Sequence, residues 1–235
     1  MTKTEENQFN IKIDEMIQAG LHFGHKTSRI HPKMKPYLDS VKSNIHIINL
    51  EKTAKKLEEA LKFIQKIISE NKILLLIGTK IQARDLVKNY AQELSLPFIN
   101  ERWVGGTFTN FEIIKKRLIY FKDLERKKKE EGLEKYTKKE IAKIDKELRN
   151  LKIKFGGIKD MEKLPDAIFV LDIKKDDLAI KEARMKGIKI IGVVDTNANP
   201  TLVDFPIPAN DDTILAIKYI LEKMKEVIQG AKNKP

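Results

Sequence analysis

No cysteine occurs among the 235 residues. Disulfides, cysteine-ligated zinc and thiol catalysis are therefore excluded, and a cytosolic chain is expected. Long hydrophobic runs are missing as well. The longest, such as Ile73 to Ile77, are strand-sized and too short to cross a bilayer. Met1 to Asn10 is polar and lacks the apolar core of an export signal, so secretion is not expected. Nucleotide fingerprints are absent too. No G-x-G-x-x-G occurs, and the glycines of Gly20 to Thr27 do not have phosphate-loop spacing. Neither H-E-x-x-H nor G-x-S-x-G is present, so the common hydrolase motifs give no lead. Tryptophan occurs once, at Trp103, where a core position is the ordinary reading.

What the chain does contain is lysine. There are 46 basic against 34 acidic residues, a net charge of +12. Such a balance favours a polyanionic partner, although a lysine-rich genome produces the same totals. Placement decides between the two. Leu21 to Ser43 carries Lys26, Arg29, Lys33, Lys35 and Lys42 against a single acid, Asp39. Pro32 and Pro36 forbid a regular helix there, which predicts an ordered basic loop or irregular extended segment. Lys115 to Lys159 holds 17 basic and 8 acidic residues, net +9. Two separated basic surfaces suit an RNA touched at more than one place.

Buried-strand patterns alternate with helices along most of the chain. Strands are expected at 44–49, 73–77, 97–100, 165–172, 189–195 and from 206. Helices are expected at 13–19, 50–71, from Lys80 to about Leu94, at 176–186 and from Asp211 or Asp212, as cap, to about Ile228. That order is the mark of an α/β fold with a mainly parallel sheet flanked by helices. One segment breaks it. From Phe108 to Phe155 only helix is indicated. Phe111, Ile114, Leu118 and Phe121 repeat at three, four and three, and Ile141, Ile144, Leu148, Leu151 and Phe155 at three, four, three and four. Both are heptad seams. They predict an inserted antiparallel coiled-coil helical hairpin turning near Gly132, with residues 1–107 and 156–235 forming the α/β body. Two ordinary helices lying on the body are the alternative.

Candidate chemistry sits at strand ends. Asp172 and Asp195 each close a buried strand, at the edge where α/β proteins place their sites, and Asp204 follows. If the N-terminal segment folds over that edge, His22 or His25 joins them. His25, Asp195 and Asp204 could then hold a structural divalent ion. The bland reading is that such aspartates cap turns. Gly78-Thr79-Lys80 could present amides to an anion or be a plain tight turn. Arg102, beside Trp103, could reach a phosphate. An enzyme binding metal or phosphate at this edge therefore remains a rival reading. A membrane-surface protein is another, disfavoured by the narrow apolar seams.

Several blocks, taken together, carry a resemblance. They are 19–25 (AGLHFGH), 32–36 (PKMKP), 45–53 (IHIINLEKT), 102–110 (RWVGGTFTN), 155–161 (FGGIKDM), 164–167 (LPDA), 194–197 (VDTN) and 208–212 (PANDD). In this order, from about residue 13 to 228, the chain resembles the S-two family of small-subunit ribosomal proteins in its bacterial form. The resemblance implies a Rossmann-like, flavodoxin-like α/β domain with an inserted coiled-coil hairpin. It implies a non-enzymatic constituent of the 30S subunit, in the cytoplasm on the ribosome. Its partners would be 16S rRNA and small-subunit proteins including S-one, with no membrane, no homo-oligomer and no required cofactor. Some family members carry a long acidic tail; here the chain stops soon after Gln229, and functions tied to such a tail are not carried over. On this reading Lys26, Arg29, Lys33, Lys35, Arg102, Arg126, Lys127, Lys128 and Lys129 are the expected RNA contacts.

Overall fold

The computed structural model describes residues 9–130 and 137–232. Five parallel strands form the main sheet: β4 (Leu74–Ile77), β5 (Phe98–Ile99), β6 (Ala167–Val170), β7 (Lys189–Val194) and β8 (Phe205–Pro208). Their order across the sheet is β5-β4-β6-β7-β8. Every residue of β4 and β6 is buried, as both faces are covered. The pleat divides their side chains between two cores. Leu74, Leu76, Ala167, Phe169, Ile191 and Val193 face one; Leu75, Ile77, Ile168, Val170, Ile190 and Val194 face the other.

Helices α2 (Leu50–Ser69), α3 (Ile81–Glu93) and α7 (Ile214–Lys232) cover the first face. In α2 the buried residues Leu57, Ala60, Leu61, Ile64, Ile67 and Ile68 recur at helical spacing and leave the lysines outside. Asn49 caps this helix, its side chain accepting the Lys52 amide at 3.0 Å. The second face is covered by α6 (Asp177–Met185) and by the inner parts of α4 (Phe111–Glu130) and α5 (Lys138–Phe155).

The predicted seams run between α4 and α5. Ile114, Leu118, Phe121, Leu148, Leu151 and Phe155 are all buried, and they continue the core formed by Trp103 and Phe108. Pairs such as Tyr120 with Glu147 and Lys128 with Asp145 show the helices to be antiparallel. A Thr137–Glu140 capping box starts α5. Gly132, expected at the turn, lies outside the described residues.

A single carboxylate fastens the root of this hairpin. Glu182 of α6 is 4% exposed. Its Oε1 accepts the Trp103 indole N–H at 3.1 Å and the Gly106 amide at 2.8 Å. Its Oε2 accepts the Phe108 and Thr109 amides at 2.9 and 3.1 Å, and the Thr109 hydroxyl at 3.2 Å. Burial opposes ionisation, but these donors outweigh it and hold the carboxyl below the usual glutamate range. The loop entering α4 thus takes its shape from a residue more than 70 positions away.

The N-terminal region differs from expectation. After the short helix α1 (Ile13–Gln18), residues 21–48 are not an irregular basic loop followed by a strand of the main sheet. They contain β1 (Phe23–Lys26), β2 (Leu38–Lys42) and β3 (Ile45–Ile48), an antiparallel sheet of order β1-β3-β2. Ser43 and Asn44, both at positive φ, make the tight β2–β3 turn that pairing requires. Pro32 and Pro36 fall within a 3-10 turn over Pro32–Tyr37 that buries Met34. This small sheet sits against the loop after β7. A Cβ on Gly24 would lie 2.3 Å from the Thr196 methyl, so only glycine permits the approach.

Candidate functional site

The basic residues singled out in the sequence fall on separate surfaces. Lys26, Arg29, Lys33 and Lys35 are exposed along β1 and the 3-10 turns. Of these, Lys33 donates to the Thr201 hydroxyl at 3.1 Å. Arg102 is exposed beside buried Trp103. Arg126, Lys127, Lys128 and Lys129 are exposed at the far end of α4. Two of these four already have carboxylate partners. Arg126 faces Asp123 at 3.4 Å, and Lys128 reaches across to Asp145 on α5 at 2.5 Å.

A second constellation lies at the carboxyl edge of the parallel sheet. The chain leaves β4 toward one side of the sheet, to β5, and returns to the other side as β6. The crevice between their ends is where doubly wound folds place ligands. Lys80, just past β4, fills it. Its ammonium lies 3.2 Å from Asp172, 2.6 Å from Asp211 and 2.6 Å from Asp212. These carboxylates outweigh burial and hold the lysine charged, its pKa well above the usual value. Burial, with Asp172 and Asp195 nearby, pushes Asp211 up to about 7. Asp176, bonded to the Thr79 hydroxyl at 2.7 Å, is raised by burial to about 6. The crevice is thus closed by its own ion pairs.

Asp172 also fulfils the plain structural expectation: its Oδ1 accepts the Lys174 and Lys175 amides. Ahead of the final helix Asn210 holds a turn, its Oδ1 accepting the amides of Asp212 and Thr213 at 2.7 and 3.1 Å, both before the helix begins at Ile214. That leaves both aspartates facing Lys80 and His25.

His25 arrives at this edge from β1, as the folding-over of the N-terminal segment requires. Its amide donates to the Thr196 hydroxyl at 2.8 Å. Its Nδ1 stands 3.1 Å from Asp195 Oδ2, at ion-pair distance but without an aligned hydrogen bond. Its Nε2 lies 3.5 Å from Asp212 and 2.8 Å from the Asn197 amide nitrogen. The Asp195 carboxylate, against the effect of burial, raises the imidazole pKa.

One ligand atom each from His25, Asp195 and Asp212 lies within 4.8 Å of the others. Asp204, expected in this set, is not there. It sits at the opposite, amino end of the strands, accepting the Ile190 amide at 2.9 Å and pairing with Lys189 at 2.8 Å. It leads into β8, whereas strand ends on the carboxyl side supply the cluster. Asp212 was missed because it read as a helix cap. His22 stays apart, half-buried against Phe23 with its pKa lowered by burial.

Fold and surface together define a class: a basic α/β protein with a helical hairpin rooted in its core and a crevice filled by its own salt bridges. The family model described as Ribosomal protein S2 matches residues 16–231, and the chain belongs to that family. It is therefore a small-subunit ribosomal protein of translation, structural and not enzymatic, and its family works on the ribosome in the cytoplasm. Among the described residues no helix is long and apolar enough to cross a membrane.

Proposed function

We propose that the chain binds 16S rRNA through two surfaces, one along Lys26 to Lys35 with Arg102, the other on the hairpin, and that it docks S-one on its α/β body. The division into a body (1–107 and 156–235) and a hairpin unit (108–155) belongs to this reading. The observation that carries it is the exposure of cations on two distinct elements, the β1 region and the end of α4. Such contacts position a protein on phosphates and read shape.

For S-one, an exposed apolar patch at the carboxyl edge offers the contact. Ile81 is 79% exposed, Ile214 55% and Leu215 61%. They flank the residues of the Lys80–Asp212 ion pair that joins the starts of α3 and α7. Exposed apolar clusters of this kind mark protein contacts. Co-sedimentation with small subunits across a salt series tests the whole reading. The wild type is expected to bind stoichiometrically at moderate salt and to retain S-one. Ile214→Asp with Leu215→Asp is expected to keep subunit binding and lose S-one. Weak, unsaturating binding that vanishes with salt would sink the rRNA assignment, and undiminished S-one retention by the variant would sink the patch.

No cofactor is required by this role. A structural divalent ion would be held by His25, Asp195 and Asp212, whose nitrogen and carboxylate donors suit one. The unaligned His25–Asp195 pair is what favours it. Zinc titration is expected to raise the melting temperature of the wild type and not of Asp195→Asn; equal shifts in both would dispose of the site.

A further inference from the structure

Helix α6 turns one side into the core and leaves the other uncovered. Ala179, Ile180, Glu182 and Ala183 are buried, but Leu178 is 44% exposed and Met185 75%. Two helical turns separate these two, so they stand on one line about 10 Å long. Glycine at 105 puts no side chain against this flank of Leu178, where a Cβ would lie 3.7 Å away. The stretch 174–186 also exposes five cations, Lys174, Lys175, Lys181, Arg184 and Lys186, against one acid, Asp177. Asp177 is taken by Lys181 at 2.7 Å. Lys174, Arg184 and Lys186 form no ion pair among the described residues. Arg184 and Lys186 suit the carboxyl end of their own helix, where the macrodipole favours cations. The exposed apolar line has no such internal account.

We propose that the outer face of α6 docks an acidic amphipathic helix of another protein. Leu178 and Met185 receive two apolar residues of that helix, seven positions apart. Its acidic flanks meet Lys174 at one end and Arg184 and Lys186 at the other. Charge complementarity sets the sign of the partner, and the straight apolar line sets its form. The unbranched Met185 side chain adapts to the shape of an incoming apolar group. RNA fits less well: its phosphates would use the cations and leave two large apolar side chains without a role. The face is distinct from the two RNA surfaces, since none of these cations lies on β1 or the hairpin. It is distinct from the apolar patch of α3 and α7 as well, because α6 covers the second face of the sheet and those helices the first.

The test replaces Lys181, which stands between Leu178 and Met185, with photoreactive p-benzoylphenylalanine in the full chain. The variant is expressed in growing cells, and its crosslinks are mapped by mass spectrometry. The expected product joins this position to a protein segment with apolar residues seven apart and acids on both flanks. A synthetic peptide of that segment is then expected to bind the purified wild-type chain. Leu178→Ser with Met185→Ser, and separately Arg184→Glu with Lys186→Glu, should each weaken it on the order of tenfold. All four residues are exposed, so both variants should melt as the wild type does. Changing the peptide's acids to lysine should restore binding to the charge-reversed chain. Crosslinks to RNA alone give the face to RNA and overturn the proposal. It is equally overturned if no crosslink forms, if the captured segment lacks the pattern, or if the peptide ignores either pair of substitutions.

Discussion

Replacing Glu182 with alanine should cost about 4 kcal/mol of folding stability. The carboxylate is buried and accepts from Trp103, Gly106, Phe108 and Thr109. Its removal leaves several buried donors unpaired, and each such group costs roughly 1–3 kcal/mol before the structure relaxes. A fall in melting temperature of roughly 10 °C is the corresponding signature for a chain of this size. Glu182→Gln keeps the shape but turns an amide nitrogen toward donors, so an intermediate loss is expected. The pH dependence has a definite sign. The folded carboxyl titrates below its unfolded value, so its contribution is present above about pH 4 and is lost as the pH falls through the folded pKa. Thermal melts of the three proteins between pH 3 and 7 decide the matter. A loss under about 1 kcal/mol for the alanine variant, within the scatter of ordinary surface changes, would mean that the loop is held by its packing alone.

The second large effect concerns binding. Changing Arg126, Lys127, Lys128 and Lys129 together to glutamine should weaken association with the small subunit and flatten its salt dependence. Each phosphate neutralised contributes roughly one unit to the logarithmic salt slope. The ion pairs of Arg126 with Asp123 and Lys128 with Asp145 dilute two of the four cations, so the slope should fall by about 2 to 4 units. Affinity near physiological salt should drop on the order of a hundredfold. Sedimentation at several salt concentrations measures both. An unchanged slope would remove this end of α4 from the RNA interface, whatever happens to the affinity.

Much of the architecture was legible because it rests on periodicity. Ile73 to Ile77 reads as a strand covered on both faces, and Leu74–Ile77 is one. Of the seams read from Phe111 to Phe121 and from Ile141 to Phe155, Ile114, Leu118, Phe121, Leu148, Leu151 and Phe155 are buried, while Phe111, Ile141 and Ile144 are only half-buried. What escaped depends on turns and on distant partners. The three-stranded sheet hid because Ser43-Asn44 makes its turn without the usual glycine, and because prolines dominate the segment. His25 and Asp195 read correctly as neighbours, since both follow from β1 folding over the strand ends. Asp204 did not belong with them, because its place at the amino end of β8 depends on where a loop crosses the sheet. Asp212 and Lys80 were invisible as partners for the same reason: 132 positions separate them, and only the strand order brings them together. The Glu182 anchor likewise has no local signature.

The strand order also bears on how the chain acquires its structure. β4 pairs along its length with β6, which begins about ninety residues later, and the whole helical hairpin lies between them. Closing so long a loop carries an entropic cost that contacts formed late must repay. Two antiparallel helices that form early bring their ends together and shorten that loop in effect. During synthesis, the edge of β4 that β6 will cover stays open until Ala167–Val170 has emerged. Stability of the hairpin should therefore show itself in the rate of folding as well as in the finished structure, with seam substitutions near Leu118 and Leu151 slowing refolding more than they hasten unfolding.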